Sequence, residues 1–232
     1  PPNDRPAVIL GTPTPMVARW EPSGTGGQGT YHQYNLADPW TSKVRQGLGY
    51  WFYVSTPGVG VRLDGDEAPT SGLFELTEEY RTASVLDMRP GWHMIGDPFG
   101  FPVGWGNILI GYQGDLQPVP VAAERGWVRP TLYWYTGEGY DWAVAPQGVL
   151  EPLRGYWIRT EVPCRVYVPP MEVQAGFSAA GGTRALADEW LVRLTVTGGG
   201  MTDRANLFGV AQTALAGLDA ADVEKPPSPG LA

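Results

Sequence analysis

The chain has one cysteine, Cys164, and two histidines, His32 and His93. A single cysteine excludes an intramolecular disulfide and a zinc site built on cysteines. Its expected role is that of a small buried hydrophobe. Two histidines without an H-E-x-x-H pattern make no familiar zinc site. No G-x-S-x-G elbow is present to hold a serine nucleophile. Basic residues are also few, 16 Lys plus Arg against 24 Asp plus Glu, for a net charge of −8. That balance disfavours nucleic acid and anionic membrane surfaces, whose phosphates call for clustered Lys and Arg. No apolar run approaches the roughly 18 residues of a membrane-spanning helix, so no membrane insertion is expected. The opening "PPNDRPAVILGTP" has neither the basic start nor the long apolar stretch of a signal peptide. A cytosolic protein, a mature secreted chain and a fragment all remain open on that ground.

Glycine, proline and aromatic rings are abundant. The 232 residues include 32 Gly, 23 Pro, 10 Trp and 11 Tyr, and 43% of the chain is apolar. A chain of this length and apolarity can bury a core. Gly and Pro set between short aromatic runs punctuate the turns of an all-β protein. The expected fold is therefore all-β, with antiparallel sandwich-like modules and very little helix.

The sequence also repeats itself. "GYWFYV" at 49–54 returns as "GYWIRT" at 155–160, a shift of 106 residues. At the same shift Thr30 meets Thr136, Tyr34 meets Tyr140 and Pro57 meets Pro163. The register holds without a gap from 30 to 63, which marks an internal duplication. The second copy has a front half, "GWHMIGDPFGFPVGWGNI" at 91–108, with no counterpart in the first. Only "PAVIL" at 6–10 and "PMVARW" at 15–20 are strand-like pieces available there. The expected organisation is a first, incomplete β-module over 1–69, a complete second module over 70–170, and a C-terminal β segment over 171–232 with a Pro-rich tail. In that last segment "EWLVRLTVTGG" alternates as a strand, with Trp190, Val192, Leu194 and Val196 on one face.

Alternation along the strands nominates binding residues. In the second copy Tyr156, Ile158 and Thr160 share one face, and Trp157, Arg159 and Glu161 the other. The face with Arg159 and Glu161 is expected to see water, so Trp157 begins a polar face, and by the repeat so does Trp51. The alternative is that each Trp packs beneath a loop or beneath the other module. "TLYWYTGEGYDWAV" at 131–144 reads as a β-hairpin that pairs Tyr135 with Tyr140 and Tyr133 with Trp142, all on one face. Such a ladder is a structural device in itself, and cross-strand aromatic pairs contribute about 0.2–1 kcal/mol each. It is also the shape of a platform for sugar rings. Trp51, Trp157, Tyr133, Tyr135, Tyr140 and Trp142 are accordingly the candidate carbohydrate-stacking residues. A platform requires two or more of these rings to be coplanar and open.

The acidic residues are less telling. Asp64, Asp66 and Glu67 in "LDGDEA" offer hard oxygens suited to calcium. Their series is too short for an EF-hand loop, and a solvated acidic turn is the competing reading. No other cofactor is expected. Glu75, Glu78, Glu79, Asp97 and Glu138 are scattered, and nothing selects a pair for glycoside hydrolysis.

Taken as a set, "GWHMIGDPFGFPVGWGNI", "YWYTGEGYDW" and "VLEPLRGYWIR" resemble a module that recurs in large extracellular and cell-surface proteins of bacteria. "EWLVRLTVTGGGMTDRANLFGVAQTALAGLDAADVEKPPSPG" resembles the segment that often follows it. The likeness covers about 91–232, and the internal repeat extends it to 30–63. It implies a secreted or cell-surface location and a non-catalytic β-structure strung among other domains, and it assigns no functional residue. The expected function is assembly with neighbouring domains or copies of itself, by strand addition at the open edge of the incomplete module. The alternative is a carbohydrate-binding module that stacks polysaccharide on its aromatics, and a glycoside-active enzyme ranks below both.

Overall fold

The structure, a computed structural model, describes residues 4–11, 15–23, 29–53, 68–77, 88–137, 139–173, 190–198, 201–210 and 225–227. Its strands are β1 (Met16–Pro22), β2 (Gly29–Gln33), β3 (Trp51–Tyr53), β4 (Phe74–Leu76), β5 (Gly91–Gly96), β6 (Val103–Gly104), β7 (Leu109–Tyr112) and β8 (Asp115–Pro118). They continue with β9 (Thr131–Tyr135), β10 (Tyr140–Val144), β11 (Val149–Leu150), β12 (Gly155–Thr160), β13 (Arg165–Val168), β14 (Trp190–Gly198) and β15 (Met201–Val210). The α-helices are two short ones, α1 (Pro6–Ile9) and α2 (Val119–Glu124). The fold is all-β and antiparallel, as composition and punctuation indicate. No helix among the described residues is long and apolar enough to cross a membrane.

Three sheets lie one on another. The middle sheet runs β10-β9-β12-β5, and a second runs β4-β13-β7-β8. Between these two lies the main core, where Ile95, Leu132, Tyr156 and Ile158 of the middle sheet meet Leu76, Ile110, Val166 and Val168. Cys164 is buried in the same core and forms no disulfide. The third sheet, β2-β1-β3, covers the opposite face of the middle sheet. Its Trp20 packs there with Trp92, Met94, Tyr133, Trp142 and Trp157. The middle sheet is therefore buried on both faces, and this corrects the expectation that the Trp157 face sees water. Arg159, in the same row, has its side chain only 12% exposed, and it pairs with Glu161.

Both copies set a hairpin strand between its partner and the Gly-Tyr-Trp strand, as β2-β1-β3 and as β10-β9-β12, but the hairpins stand outside the 106-residue register, which places β2 opposite 135–139 rather than opposite β10. Each copy also uses its tyrosine in the same way. The Arg45 N–H donates to Tyr50 Oη at 3.1 Å, and the Glu151 N–H to Tyr156 Oη at 2.8 Å. In both cases the donor lies five residues before the ring, so the tyrosine ties down the turn that feeds its own strand. Burial pushes the Tyr156 phenol up to about 12, against the pull of the Glu151 N–H.

β5, from the front half of the second copy, has a backbone partner on each side. β5 pairs with β12 on one side. On its other side Leu48 bridges Ile95, the Gly49 N–H donates to Met94 O at 3.0 Å, and the Gly96 N–H donates to Gly47 O at 3.0 Å. The front strand of the second copy thus serves the approach to both Gly-Tyr-Trp strands. "PMVARW" supplies β1, whereas "PAVIL" is the helix α1, not a strand. Pro6 stands in its first turn, where the missing N–H costs nothing and φ is already helical.

Two glycines at equivalent repeat positions differ in what surrounds them. A Cβ on Gly49 would lie 2.8 Å from Ile95 O and 3.0 Å from Met94 C, whereas one on Gly155 would meet only Tyr50 O, at 4.0 Å. Gly49→Ala is expected to lower unfolding stability by about 1–3 kcal/mol, as overpacking against backbone does. Gly155→Ala is expected to change it by less than about 0.5 kcal/mol. Urea unfolding midpoints of the two variants check the contrast.

Candidate functional site: an aromatic junction that holds a proline pair

The β9–β10 hairpin has the expected register, with Tyr135 opposite Tyr140 and Tyr133 opposite Trp142. Alternation puts these four side chains on the face turned toward β1–β3. Trp157 joins them because it lies opposite Tyr133, and Trp51 arrives from β3 in the covering sheet. The structure therefore brings all six candidate rings to one junction between the two repeats.

It does not arrange them as a platform. Trp157, Tyr133 and Trp142 are buried, and Trp51 and Tyr140 are half-buried. Tyr135 alone of the six is exposed, at 45%. The rings meet edge to face: Trp51 on Tyr135 at 5.1 Å and 73°, Tyr135 on Tyr140 at 5.7 Å and 69°. The deeper contacts, Trp20 on Trp157 at 68° and Trp92 on Trp157 at 89°, have the same form. Edge-to-face packing suits the ring quadrupoles and adds about 0.5–1.5 kcal/mol per pair beyond area burial. No two open coplanar rings are found among these six.

What the junction does hold is a piece of the chain itself. Pro226 is buried, and Lys225 and Pro227 are half-buried. The Tyr31 Oη–H donates to Pro227 O at 2.8 Å, and Tyr140 Oη lies 3.5 Å from the same carbonyl. Behind Tyr31, the Trp51 indole N–H donates to Tyr31 Oη at 3.3 Å. Tyr31 thus accepts from one side and donates on the other. Burial raises the Tyr31 phenol far above the usual range, with the Trp51 hydrogen bond pulling weakly back. Burial does the same for Tyr140, reinforced by Tyr31. Both hydroxyls therefore stay protonated, and able to donate, throughout the accessible pH range.

Sequence reasoning passed over Tyr31 and Trp20, and singled out the Pro-rich tail without assigning it this place. The usable signal was the coincidence of a surplus of aromatic rings with a Pro-rich stretch in one chain, the two halves of a known recognition mode. The stretch reads instead as an extended linker, and its return to the fold is a long-range event that local pattern does not carry.

The remaining candidates are quickly placed. Asp64, Asp66 and Glu67 lie outside the described residues, as do Glu78, Glu79 and Glu138. No group of three or more metal-ligating side chains suited to an ion occurs among the described residues. His32 is held on both ring nitrogens, Nδ1 2.7 Å from Asp38 Oδ2 and Nε2 2.9 Å from Glu21 Oε2, with Trp40 stacked on the ring. A histidine so engaged ties β1 and β2 to the following turn. His93 is buried, with Nε2 2.7 Å from Arg89 O. Glu75 lies 3.7 Å from Arg165. Asp97 is a separate matter. Its Oδ1 accepts from the Phe99 N–H at 2.9 Å, while its buried Oδ2 has no hydrogen-bond partner among the described residues. Burial raises its carboxyl to about 7, opposed by the Phe99 hydrogen bond.

No protein-family model matches the chain, and no curated protein or solved structure matches it.

The Asp97 carboxyl gives a pH dependence of defined sign. The folded chain holds its proton up to about pH 7, while the unfolded chain releases it near pH 4. Between those values the native state binds more protons, so this contribution to stability declines as pH rises. Thermal unfolding from about pH 4 to 8 is expected to show the decline in the parent chain. Asp97→Asn keeps an acceptor for the Phe99 N–H, and is expected to flatten the profile and to unfold later than the parent above pH 7.

Proposed function

We propose that the chain is a non-catalytic β-module of a secreted or cell-surface bacterial structure, and that it works by joining neighbouring domains or copies of itself. One observation carries this proposal. Among the described residues, β14 and β15 pair only with each other. Val192, Leu194 and Val196 on β14 are 45%, 47% and 57% exposed, and Val210 at the end of β15 is also exposed. A two-stranded ribbon is marginal by itself in water. A row of branched apolar side chains left open along one is the mark of a surface that is covered on association. The backbone of β15 passes close to β10, so the ribbon is anchored beside the aromatic junction while Val192, Leu194 and Val196 are exposed.

The sheet edges support the same reading. β5 pairs with residues 47–49 on the approach to β3 and so ties the first module to the second. The outer strand β8 carries Asp115 at one end and Pro118 at the other, and Pro lacks the N–H that a pairing strand would need. Association by faces, with the ribbon as the leading surface, replaces strand addition as the favoured mode. The sequence likeness to modules strung along bacterial surface proteins points the same way.

Sedimentation velocity from roughly 1 µM to 1 mM is the test. The parent chain is expected to associate reversibly. The triple variant Val192→Thr, Leu194→Thr, Val196→Thr keeps β-branched, strand-forming side chains and is expected to stay monomeric. A parent chain that remains monomeric throughout, or a variant that associates equally, contradicts the proposal. Retention on cellulose, xylan or chitin by both proteins alike would instead favour the polysaccharide-binding alternative.

A further inference from the structure

We infer that the junction of Tyr31, Trp51 and Tyr140 is a recognition site for an extended proline-rich segment, occupied in cis by Pro226–Pro227 and able to take the same kind of segment from another chain. The inference is independent of the β14–β15 ribbon and of what that ribbon joins.

The chemistry of the contact is that of proline recognition. Proline has no backbone N–H, so its carbonyl is the one strong backbone handle it offers. Here two tyrosine hydroxyls converge on a single proline carbonyl, one at 2.8 Å and one at 3.5 Å. Aromatic rings with outward-pointing donors are the complement of such a segment, which docks as a polyproline II helix in aromatic-lined grooves. The segment is prepared for this by its own sequence. Pro227 biases Pro226, and Pro226 biases Lys225, toward extended backbone, because a following proline disfavours the α region. Little conformational entropy is left to lose on docking.

The donors are prepared as well. Tyr31 Oη is oriented from behind by the Trp51 indole N–H. Its ring is fixed edge-to-face on Trp20 at 5.0 Å and on Trp157 at 6.5 Å. Trp51 is in turn packed on Tyr135 and Tyr140. Such positioning exceeds what a passing tail requires. It comes from both repeats: Tyr31 and Trp51 belong to the first and Tyr140 to the second, so the site exists only where the copies meet.

Nothing in these contacts depends on the segment's arriving through residue 224. A segment on a second chain offers the same carbonyl and the same rings. The tethered copy competes at an effective concentration of about a millimolar, which keeps the site closed until the tail is drawn away or outcompeted.

The test uses the full chain with Pro226→Ala and Pro227→Ala, which keeps the residue-227 carbonyl but removes both pyrrolidine rings and the extended bias and so loosens the tethered segment's hold, and a synthetic peptide EKPPSPG as probe. Saturable binding, read by tryptophan fluorescence and calorimetry, is expected with Kd in the range of roughly 10–100 µM. The parent chain is expected to bind the peptide about tenfold or more weakly, because its own segment is in place. Adding Tyr31→Phe to the loosened chain is expected to weaken binding about fivefold or more, and the peptide EKAASPG is expected not to bind. Absence of saturable binding to the loosened chain, equal binding of EKAASPG, or equal affinity of parent and loosened chains overturns the inference. Should the alanine variant fail to fold, a spin-labelled EKPPSPG in large excess over the parent chain decides the matter. Broadening of the Trp51 indole N–H resonance supports the site, and its absence overturns it.

Discussion

Edge-to-face packing of Trp20 and Tyr31 on Trp157 joins the two repeats. Without it the middle sheet would have a bare face. β12 lies between β9 and β5, and its Trp157 stands in the centre of that face, among Trp92, Tyr133 and Trp142. These rings are too large and apolar to be left open in water, where a buried aromatic side chain contributes on the order of 1.5–3 kcal/mol over an exposed one. A cover is therefore required, and the first repeat provides it.

The same constraint explains the sharing of β5. A module that covers another module's sheet has to stay in register with it. The approach to β3 does so by pairing at Leu48–Ile95 and at Gly49, where the absence of a side chain lets two backbones come together. β3 then leaves β5 and pairs with β1. The far side of the covering sheet is closed by the segment between β2 and β3. There the fully buried Arg19 guanidinium lies between the Trp40 and Tyr50 rings, at 5.2 and 5.6 Å. Tyr50, the tyrosine of the first Gly-Tyr-Trp, thus has a cation to cover as well as a turn to hold. Burial raises its phenol, and the Arg19 charge offsets part of that rise.

Much of this was legible in the sequence, and the illegible parts have a common cause. The β9–β10 register follows from where the Gly-rich turn falls, because a turn fixes the pairing of its flanks. The duplication follows from a rare triplet at constant spacing, and the shared tyrosine hydrogen bond is its structural counterpart. The inward row of Tyr156 and Ile158 follows from alternation. The other face misled, because Arg159 and Glu161 mark it as wet. They sit at its end, where Arg159 lies over the Trp92 ring and pairs with Glu161. A row of side chains can be dry at Trp157 and charged two residues on, and alternation alone does not reveal what lies above it. "PAVIL" misled for the opposite reason: its apolar run is compatible with strand or helix, and Pro6 at the first turn decides for the helix. The docking of Pro226–Pro227 rests on contacts almost two hundred residues apart in sequence, beyond the reach of any local pattern.

Cys164 allows the interdependence of the two repeats to be measured. The thiol is buried in the main core, on the side of the middle sheet away from Trp20, and it is the only cysteine in the chain. Its labelling by a thiol reagent across a urea series reports the opening of that core, and the selectively excited fluorescence of 7-azatryptophan placed at position 157 alone reports the aromatic layer, since Trp105 and Trp134 belong to the main core. If the layer holds the molecule together, the two transitions coincide. Trp20→Ala, made in the first repeat, then moves both to lower urea, by the roughly 3–5 kcal/mol typical of emptying a buried tryptophan site. Labelling of Cys164 that keeps its midpoint in the Trp20→Ala chain, while the fluorescence transition shifts, would show that the second repeat stands alone and would contradict this view of the fold.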